Sequence, residues 1–208
     1  MRGHDVRVLQ DYLSRVGFPT GVDGDFGPAT AASVRAFERS QGMNADGVVT
    51  ARVATALRTA VARAAKANSG PVGVAHLNGN GTASPPANAP ATIKRLFAAA
   101  NRIALKPYIY GGGHASWNDS GYDCSGSLSY ALHGAGLLSA PLDSTEFETY
   151  GSPGPGRWIS IWSNAGHTYM YVAGLRFDTS AQRETGGSRW TDQPRSNDGF
   201  IESHPTGW

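Results

Sequence analysis

Cys124 is the only cysteine in this chain of 208 residues, so it cannot form an intramolecular disulfide. An isolated cysteine is most often a small buried hydrophobic side chain. Its neighbours favour chemistry instead, because Asp123 and Ser125 flank the sulfur and the apolar spacing that follows predicts a helix from Ser125 to Ala135. The helix dipole stabilises a thiolate at a helix N-terminus and lowers the thiol pKa. The sequence therefore predicts a nucleophile at Cys124.

A cysteine nucleophile needs a general base within hydrogen-bond reach. His133 is excluded, because nine residues along the same predicted helix place it about 13 Å from Cys124. His167 is preferred, because it stands at the start of a predicted strand whose rigid backbone can aim the ring at the helix N-terminus. His114 follows a run of glycines and stays open as the alternative base. The remaining histidines are set aside by their place in the chain: His4 lies in the first predicted domain, His76 in a predicted linker and His204 near the C-terminus, where less order is expected.

A third polar group must hold the base, and a predicted hairpin supplies a candidate. Two strands, the first starting at His167 and the second ending at Ser180, are joined by a two-residue turn at Ala173-Gly174. In that register His167 faces Ser180. Because side chains two positions apart share a face, Asp178 projects on the same side as His167 and Thr179 on the other. The pattern predicts Asp178 as the group that orients the base, with Thr179 or a backbone group as the alternative.

The elements around this hairpin indicate an α+β domain over residues 91–208. A helix starting near Thr92 has its apolar residues on one face. A strand at Trp158–Trp162 precedes the hairpin, so a helical part is followed by a run of strands. Residues 181–208 match no pattern; they are expected to cover either the cleft or a strand edge.

Residues 1–67 predict three helices in a separate all-α domain. Val6, Leu9 and Leu13 recur at helical spacing, and a second helix is expected to begin with Pro28. A third runs from Thr50. The Asp-Gly loops between the helices raise calcium as one interpretation, but their spacing lacks the closing glutamate of a calcium loop. Turn chemistry and capping are preferred, and no metal is predicted.

Residues 68–90 are rich in Gly, Asn, Ala, Ser and Pro. This is the composition of a flexible linker. The sequence therefore predicts two domains, 1–67 and 91–208, that act as separate bodies.

The helical part resembles the three-helix peptidoglycan-binding family over about residues 4–58. The family is a non-catalytic anchor on the cell-wall polymer, so the resemblance implies peptidoglycan as a partner. The positions that carry it are Asp5-Val6, Leu9-Gln10, Leu13, Val22-Asp23-Gly24, Phe26-Gly27, Thr30, Val34, Phe37, Gln41-Gly42 and Asp46-Gly47-Val48.

The second part resembles the NlpC-type cell-wall cysteine peptidases, a papain-like family, over about residues 92–180. The motifs are a Tyr-Gly-Gly turn at 110–112, an Asp-Cys-Ser-Gly block at 123–126, and Gly166-His167 leading into a strand. The resemblance implies a papain-like α+β fold with helices packed on an antiparallel sheet. It implies that Cys124 is the nucleophile and His167 the base. It further implies that Asp123 and Ser125 hold the amine end of the substrate and that Tyr108 lines that pocket.

Two departures from that family concern the substrate and the orienting group. The family usually has Gly-Asp-Leu before the histidine, where this chain has Gly156-Arg157-Trp158, and its third polar residue is often histidine, where this chain has Asp178. The resemblance implies cleavage of a stem-peptide amide bond, typically between D-glutamate and diaminopimelate or lysine. The alternatives are a catalytically silent wall-binding protein, and an amidase or acyltransferase on the same fold.

Composition excludes several other classes. The formal net charge of +2 is too small to indicate nucleic acid, and no basic run interleaved with aromatic residues occurs. No apolar run approaches 18 residues, and the first twenty residues lack the continuous apolar core of a secretory signal. We expect a monomer without cofactor or membrane partner, located extracellularly or at the bacterial cell wall, or reaching the wall as a phage lysin.

Overall fold

A computed structural model describes residues 2–69 and 72–208 of the chain. The chain divides into two compact units, Met1–Gly70 and Pro71–Trp208. The first unit is helical, and the second is an α+β unit with antiparallel sheets.

The first unit contains three helices, α1 (His4–Arg15), α2 (Pro28–Ser40) and α3 (Ala51–Ser69). Pro28 occupies the first position of α2, as the sequence predicts, because its fixed φ suits a helix start. Gly3 is the N-cap residue of α1, so Asp5 lies in the first turn rather than at the cap. The three helices enclose a small apolar core made of Leu13, Val34, Phe37, Val53 and Leu57.

The two Asp-Gly loops of this unit are closed by aspartate side chains. Oδ1 of Asp23 accepts from the backbone N–H of Asp25 at 2.8 Å, and Oδ1 of Asp46 accepts from that of Val48 at 2.8 Å. This is the turn chemistry expected from the sequence, in which an aspartate bonds to the backbone two residues ahead. Among the described residues, no three His, Cys, Asp or Glu side chains are grouped as metal ligands.

Gln10 joins α1 to the first of these loops. It is buried, and its Nε2 donates to Oδ1 of Asp23 at 2.8 Å and to Oγ1 of Thr30 at 3.0 Å. Its Oε1 accepts from the backbone N–H of Gly24 at 2.8 Å. One amide on α1 therefore satisfies polar groups of the loop and of α2, which explains a polar residue in the centre of a small helical unit.

The second unit contains three helices and eight short strands among its described residues. The helices are α4 (Ala91–Ile103), α5 (Cys124–Ala135) and α6 (Ser144–Phe147). The strands are β1 (His76–Leu77), β2 (Ala83–Ser84), β3 (Ser152–Pro153), β4 (Ile159–Asn164), β5 (His167–Val172), β6 (Leu175–Phe177), β7 (Trp190–Thr191) and β8 (Ile201–His204).

The main sheet has the strand order β3-β8-β4-β5-β6-β7, and its strands pair antiparallel. Helix α5 packs on α4 and on β5. Their apolar faces form one core, which includes Ile93, Phe97, Leu128, Leu132 and Met170. The start of α5 is thereby held beside the start of β5, and these are the ends that carry Cys124 and His167.

The hairpin of β5 and β6 has the predicted register, with Val172 opposite Leu175 and Met170 opposite Phe177. The second strand, however, ends at Phe177 and not at Ser180. A 3₁₀ helix, Thr179–Arg183, begins there, because the Asp178 side chain caps it by accepting from the backbone N–H of Ser180 at 2.8 Å. The predicted pairing of His167 with Ser180 is therefore wrong.

The segment predicted as a flexible linker packs against the second unit over residues 72–90. Ala75, Ala83 and Ala89 are buried in its core, and both backbone polar groups of Ala83 bond to the side chain of Asn101 in α4 at 2.8–3.0 Å. Small alanines interspersed among the polar residues allow this close packing. Residues 68–69 end α3, and residues 70–71 lie outside the described residues.

The C-terminal residues, which the sequence left open, extend the sheet on both sides of β4–β6. Strand β7 pairs with β6, and β8 lies between β3 and β4. These strands therefore cover strand edges, while Gln182, Arg183 and Glu184 of the same C-terminal segment line the cleft beside His167.

Candidate active site

Cys124 is the first residue of α5, as the sequence predicts. Asp123 is the N-cap, and its Oδ1 accepts from the backbone N–H of Gly126 at 2.7 Å. The thiol is half-buried. Asp123 accepts from the N–H groups of Gly126 and Ser127, so the sulfur lies beside the two earlier N–H groups of the helix, those of Cys124 and Ser125, and beside the positive end of the dipole.

A glycine loop packs directly on this helix start. The backbone N–H of Asp123 donates to the carbonyl of Gly112 at 3.2 Å, and Oδ2 of Asp123 accepts from the N–H of Gly111 at 3.0 Å. A Cβ at Gly126 would overlap the carbonyl oxygen of Gly112. The glycine of the Asp-Cys-Ser-Gly block is therefore required by the close approach of two backbones.

His167 begins β5, immediately after a tight turn from β4. Oδ1 of Asn164 accepts from the backbone N–H groups of Gly166 and His167, at 3.0 and 2.9 Å. Asn164 and His167 also pair across the two strands. The turn and the sheet together fix the backbone of His167, and its side chain is 21% exposed.

Asp178 is fully buried behind His167. Its Oδ1 lies 2.9 Å from Nε2 of His167, and its Oδ2 accepts from Oγ of Ser180 at 2.7 Å. The structure thus places Asp178 beside the His167 ring, as the alternation of side chains in the hairpin predicts. Thr179, the alternative, lies among the residues that line the adjoining cleft.

The side chains of Cys124, His167 and Asp178 shift the pKa values of one another. Burial lowers the pKa of His167, but hydrogen bonds to Asp178 and Cys124 outweigh it and raise that pKa to about 9. Burial raises the pKa of Cys124, but the hydrogen bond and charge of His167 outweigh it and leave the pKa below its ordinary value. Burial likewise raises the pKa of Asp178, and its bond to His167 reverses the shift and lowers it. The arrangement favours the charged forms, which are thiolate, imidazolium and carboxylate.

Two arginines also approach Asp178, and sequence reasoning missed both. Nη1 of Arg195 lies 2.8 Å from Oδ2 of Asp178, and Nε of Arg176 lies 3.4 Å from the same oxygen. Arg176 is on β6, but Arg195 lies in an irregular segment 17 residues beyond Asp178. No periodic pattern connects such positions, so the sequence offered no signal for Arg195.

The second histidine near the thiol, His114, bonds to the residues that flank it. Its Nε2 lies 3.0 Å from Oδ1 of Asp123 and 3.1 Å from Oγ of Ser125. The structure therefore places His114 against Asp123 and Ser125, while the side chain that lowers the pKa of Cys124 is His167. Asp123 and Ser125, predicted to hold the substrate's amine end, are both buried and already engaged in this cluster.

A cleft of about 590 Å³ opens beside His167. Tyr108, predicted to line a pocket, is part of its wall. Burial, followed by the negative charges of Cys124 and Asp123, raises the pKa of the Tyr108 hydroxyl. The other residues of the wall come from the 3₁₀ helix and its ends: Thr179, Ser180, Gln182, Arg183 and Glu184.

Arg189 is a second buried arginine that the sequence did not indicate. Its guanidinium donates to the carbonyls of Ile103, Pro107 and Tyr122 at 2.7–3.2 Å and to Oγ of Ser127 at 2.9 Å. Burial lowers its pKa to about 10. Arg189 thereby fastens the loop before Cys124 to the first turn of α5.

Comparison with known proteins assigns only the first unit. Residues 2–57 match the family model described as a putative peptidoglycan binding domain. No curated protein and no solved structure matches the chain. Among the described residues, none of the helices has the length and apolar character needed to cross a membrane. The helical N-terminal part of this chain is therefore a peptidoglycan-binding domain, and peptidoglycan, the polymer of the bacterial cell wall, is its partner.

Proposed function

We propose that the second unit is a cysteine hydrolase that cleaves an amide bond in the stem peptide of peptidoglycan. The observation that carries the proposal is the arrangement of Cys124, His167 and Asp178, in which a buried carboxylate holds a histidine that lowers the pKa of a thiol. The peptidoglycan-binding domain in the same chain supports peptidoglycan as the polymer on which such a nucleophile would act.

The mechanism follows from the protonation states. The Cys124 thiolate attacks the carbonyl carbon of the peptide bond, and the oxyanion meets the free N–H groups at the start of α5. The carbon–nitrogen bond breaks as the His167 imidazolium gives its proton to the leaving amine. Water then attacks the thioester, with His167 taking a proton from it, and releases a carboxylic acid and the thiolate.

The likeness to NlpC-type peptidases supports a papain-like fold for this unit and a bond between D-glutamate and diaminopimelate or lysine. The Asp-Cys-Ser-Gly block at the start of α5 and the histidine at the start of β5 are the features of this structure that support the likeness. A role for Asp123, Ser125 and Tyr108 in holding the substrate is part of the same proposal. Because His114 already contacts two of them, an amine would have to compete with an imidazole there.

The test is replacement of Cys124 by alanine in the full chain. Purified peptidoglycan is incubated with wild type and variant, new amino and carboxyl ends are identified by mass analysis, and pull-down on insoluble peptidoglycan measures binding. Wild type is expected to release peptides and Cys124→Ala to release none, with equal binding. Cleavage retained in the variant would refute the proposal.

The same digestion separates the alternatives. Release of intact stem peptides from the sugar would assign an amidase, and newly joined peptides would assign an acyltransferase. A wild-type protein that binds but leaves the polymer intact would be a wall-binding protein without catalytic activity. The low pKa of Cys124 favours an enzyme over that last alternative.

A further inference from the structure

Arg195 is the last in a series of neighbouring side chains that starts at the Cys124 thiol and continues through His167 and Asp178. Nη1 of Arg195 lies 2.8 Å from Oδ2 of Asp178, whose other oxygen contacts His167. The guanidinium carbon lies 4.6 Å from the ring centre of Tyr169 and 5.3 Å from that of Phe200. A guanidinium placed between a buried carboxylate and two aromatic faces is held in one geometry.

The carboxylate does not need Arg195 in order to stay in place. The backbone N–H of Ser180 donates to Oδ1 of Asp178 at 2.8 Å, and the Ser180 hydroxyl donates to Oδ2 at 2.7 Å. Ser180 therefore fixes both oxygens. Nη1 of Arg195 also donates to the Ser180 hydroxyl at 3.1 Å, and it adds a positive charge on the oxygen of Asp178 that points away from His167.

The second arginine cannot supply this charge to the same degree. Nη2 of Arg176 pairs with Glu184 at 3.4 Å, and its Nη1 donates to the carbonyl of Gln193. In the described part of the chain, the carboxylate within ion-pair distance of Arg195 is that of Asp178. Arg195 thus directs its charge at the group that holds the His167 proton.

We propose that Arg195 weakens the electrostatic attraction of Asp178 for the His167 proton, so that the imidazolium can give this proton to a leaving group. Arg195 touches no reacting atom and acts through Asp178, so it is a positioning residue. The inference builds on the proposed hydrolase. The titratable and charged groups around His167 and Asp178 are Cys124 of α5, Tyr169 of β5, Arg176 of β6, Tyr108 at the cleft wall and Arg195.

The sign of the effect follows from electrostatics. With Arg195→Met the carboxylate remains but loses an opposing cation, so it attracts the His167 proton more strongly. The imidazolium then persists to higher pH and is a weaker acid toward a leaving amine. The thiolate still forms, because its imidazolium partner is more stable.

The experiment compares Arg195→Met, Arg195→Gln and Arg195→Lys in the full chain. The rate of Cys124 alkylation by iodoacetamide is recorded against pH, where the upper step reports loss of the His167 proton. We expect Met and Gln to move that step upward by about half a pH unit or more, and Lys, which keeps the charge, to restore it. Arg157→Met is the control, because it removes an exposed arginine from the same unit.

Kinetics on purified peptidoglycan give the second readout. Arg195→Met should lower kcat several-fold and leave KM within about twofold, because the affected step is proton transfer. The inference is overturned if the upper step of the alkylation profile stays in place or moves downward in both Arg195→Met and Arg195→Gln, whatever the loss of activity. That result is expected if Arg195 has only a structural role. If wild type leaves peptidoglycan intact, the proposed hydrolase fails, but the alkylation profile still decides the role of Arg195.

Discussion

His167 donates its Nε2 proton to Oδ1 of Asp178 over 2.9 Å, and Asp178 is fully buried. Because the pKa of Asp178 is lowered, the carboxylate is the acceptor of this bond. Nε2 is thereby occupied, and Nδ1 is the ring nitrogen left for the sulfur of Cys124. One hydrogen bond thus sets both the tautomer of the base and the charge that stabilises the thiolate.

Replacing Asp178 by asparagine should separate the effect of the carboxylate charge from that of side-chain packing. The amide keeps the shape but removes one of the two charges that raise the pKa of His167 to about 9, so that pKa falls, with only Cys124 left to oppose the effect of burial. The imidazolium is lost at lower pH, and the upper limb of the pH–activity profile should move downward. We expect peptidoglycan cleavage to fall by about 10²-fold or more. The measurement is the pH dependence of kcat.

Asp192→Asn is the matched control, because Asp192 is an exposed carboxylate of the same unit. It should leave rate and profile unchanged. A normal rate in Asp178→Asn would transfer the orienting role to Thr179 or a backbone group.

The thiol should report on His167 directly. In wild type the hydrogen bond and charge of His167 hold the pKa of Cys124 below its ordinary value, so iodoacetamide should react at a lower pH than it does with an unperturbed thiol. In His167→Ala the burial that raises the pKa remains while the stabilising imidazolium is gone. The alkylation step should then move above about 8.5.

His76→Ala, an exposed histidine in the same unit, controls for the loss of an imidazole. If wild type and His167→Ala share one alkylation profile, the two side chains do not form an ion pair in solution.

The contact between the glycine loop and α5 predicts a steep stability effect. In Gly126→Ala the new methyl group meets the carbonyl oxygen of Gly112, and backbone atoms on both sides prevent relaxation. We expect a loss of about 2 kcal/mol or more in the free energy of unfolding, measured in urea. In Gly79→Ala the methyl group meets no atom within 4 Å, so that variant should unfold like wild type. Equal midpoints for the two variants would contradict the close approach.

In the first unit, Gln10 holds the first Asp-Gly loop, and we expect peptidoglycan binding to depend on this loop. Gln10→Leu leaves the N–H of Gly24 and the hydroxyl of Thr30 without their amide partner, at a cost of about 1–3 kcal/mol. Pull-down on insoluble peptidoglycan, carried out in a Cys124→Ala background, should show weaker retention. Gln41→Leu makes the same change at an exposed position and should bind normally. Retention of Gln10→Leu equal to that of Gln41→Leu would show that the loop does not depend on this amide.

Much of the site followed from short-range sequence logic. The helix start at Cys124 was predicted from a change in apolar spacing, and the relation of His167 to Asp178 from the alternation of side chains in one hairpin. Both depend on residues near one another in the chain, where backbone geometry limits the possibilities. Hairpin parity gave the face correctly even though the strand ends at Phe177.

The features that were missed depend on distant residues. Arg195 reaches Asp178 from a segment without periodicity, and Arg189 bonds to carbonyls more than 60 residues away in sequence. The Gly- and Pro-containing stretch at 72–90 has the composition of a linker, but three buried alanines attach it to the core of the second unit. These contacts depend on tertiary packing, which cannot be predicted from local composition.

The position of β8 in the sheet bears on when a nascent chain can become active. A chain synthesised as far as residue 190 already holds Cys124, His167 and Asp178, but β4 still lacks its neighbour and Arg195 does not yet exist. Because β8 is inserted between two earlier strands, the sheet that supports His167 closes only after the final strand has been added. The order of synthesis thus leaves the sheet incomplete until residues 201–204 have been made.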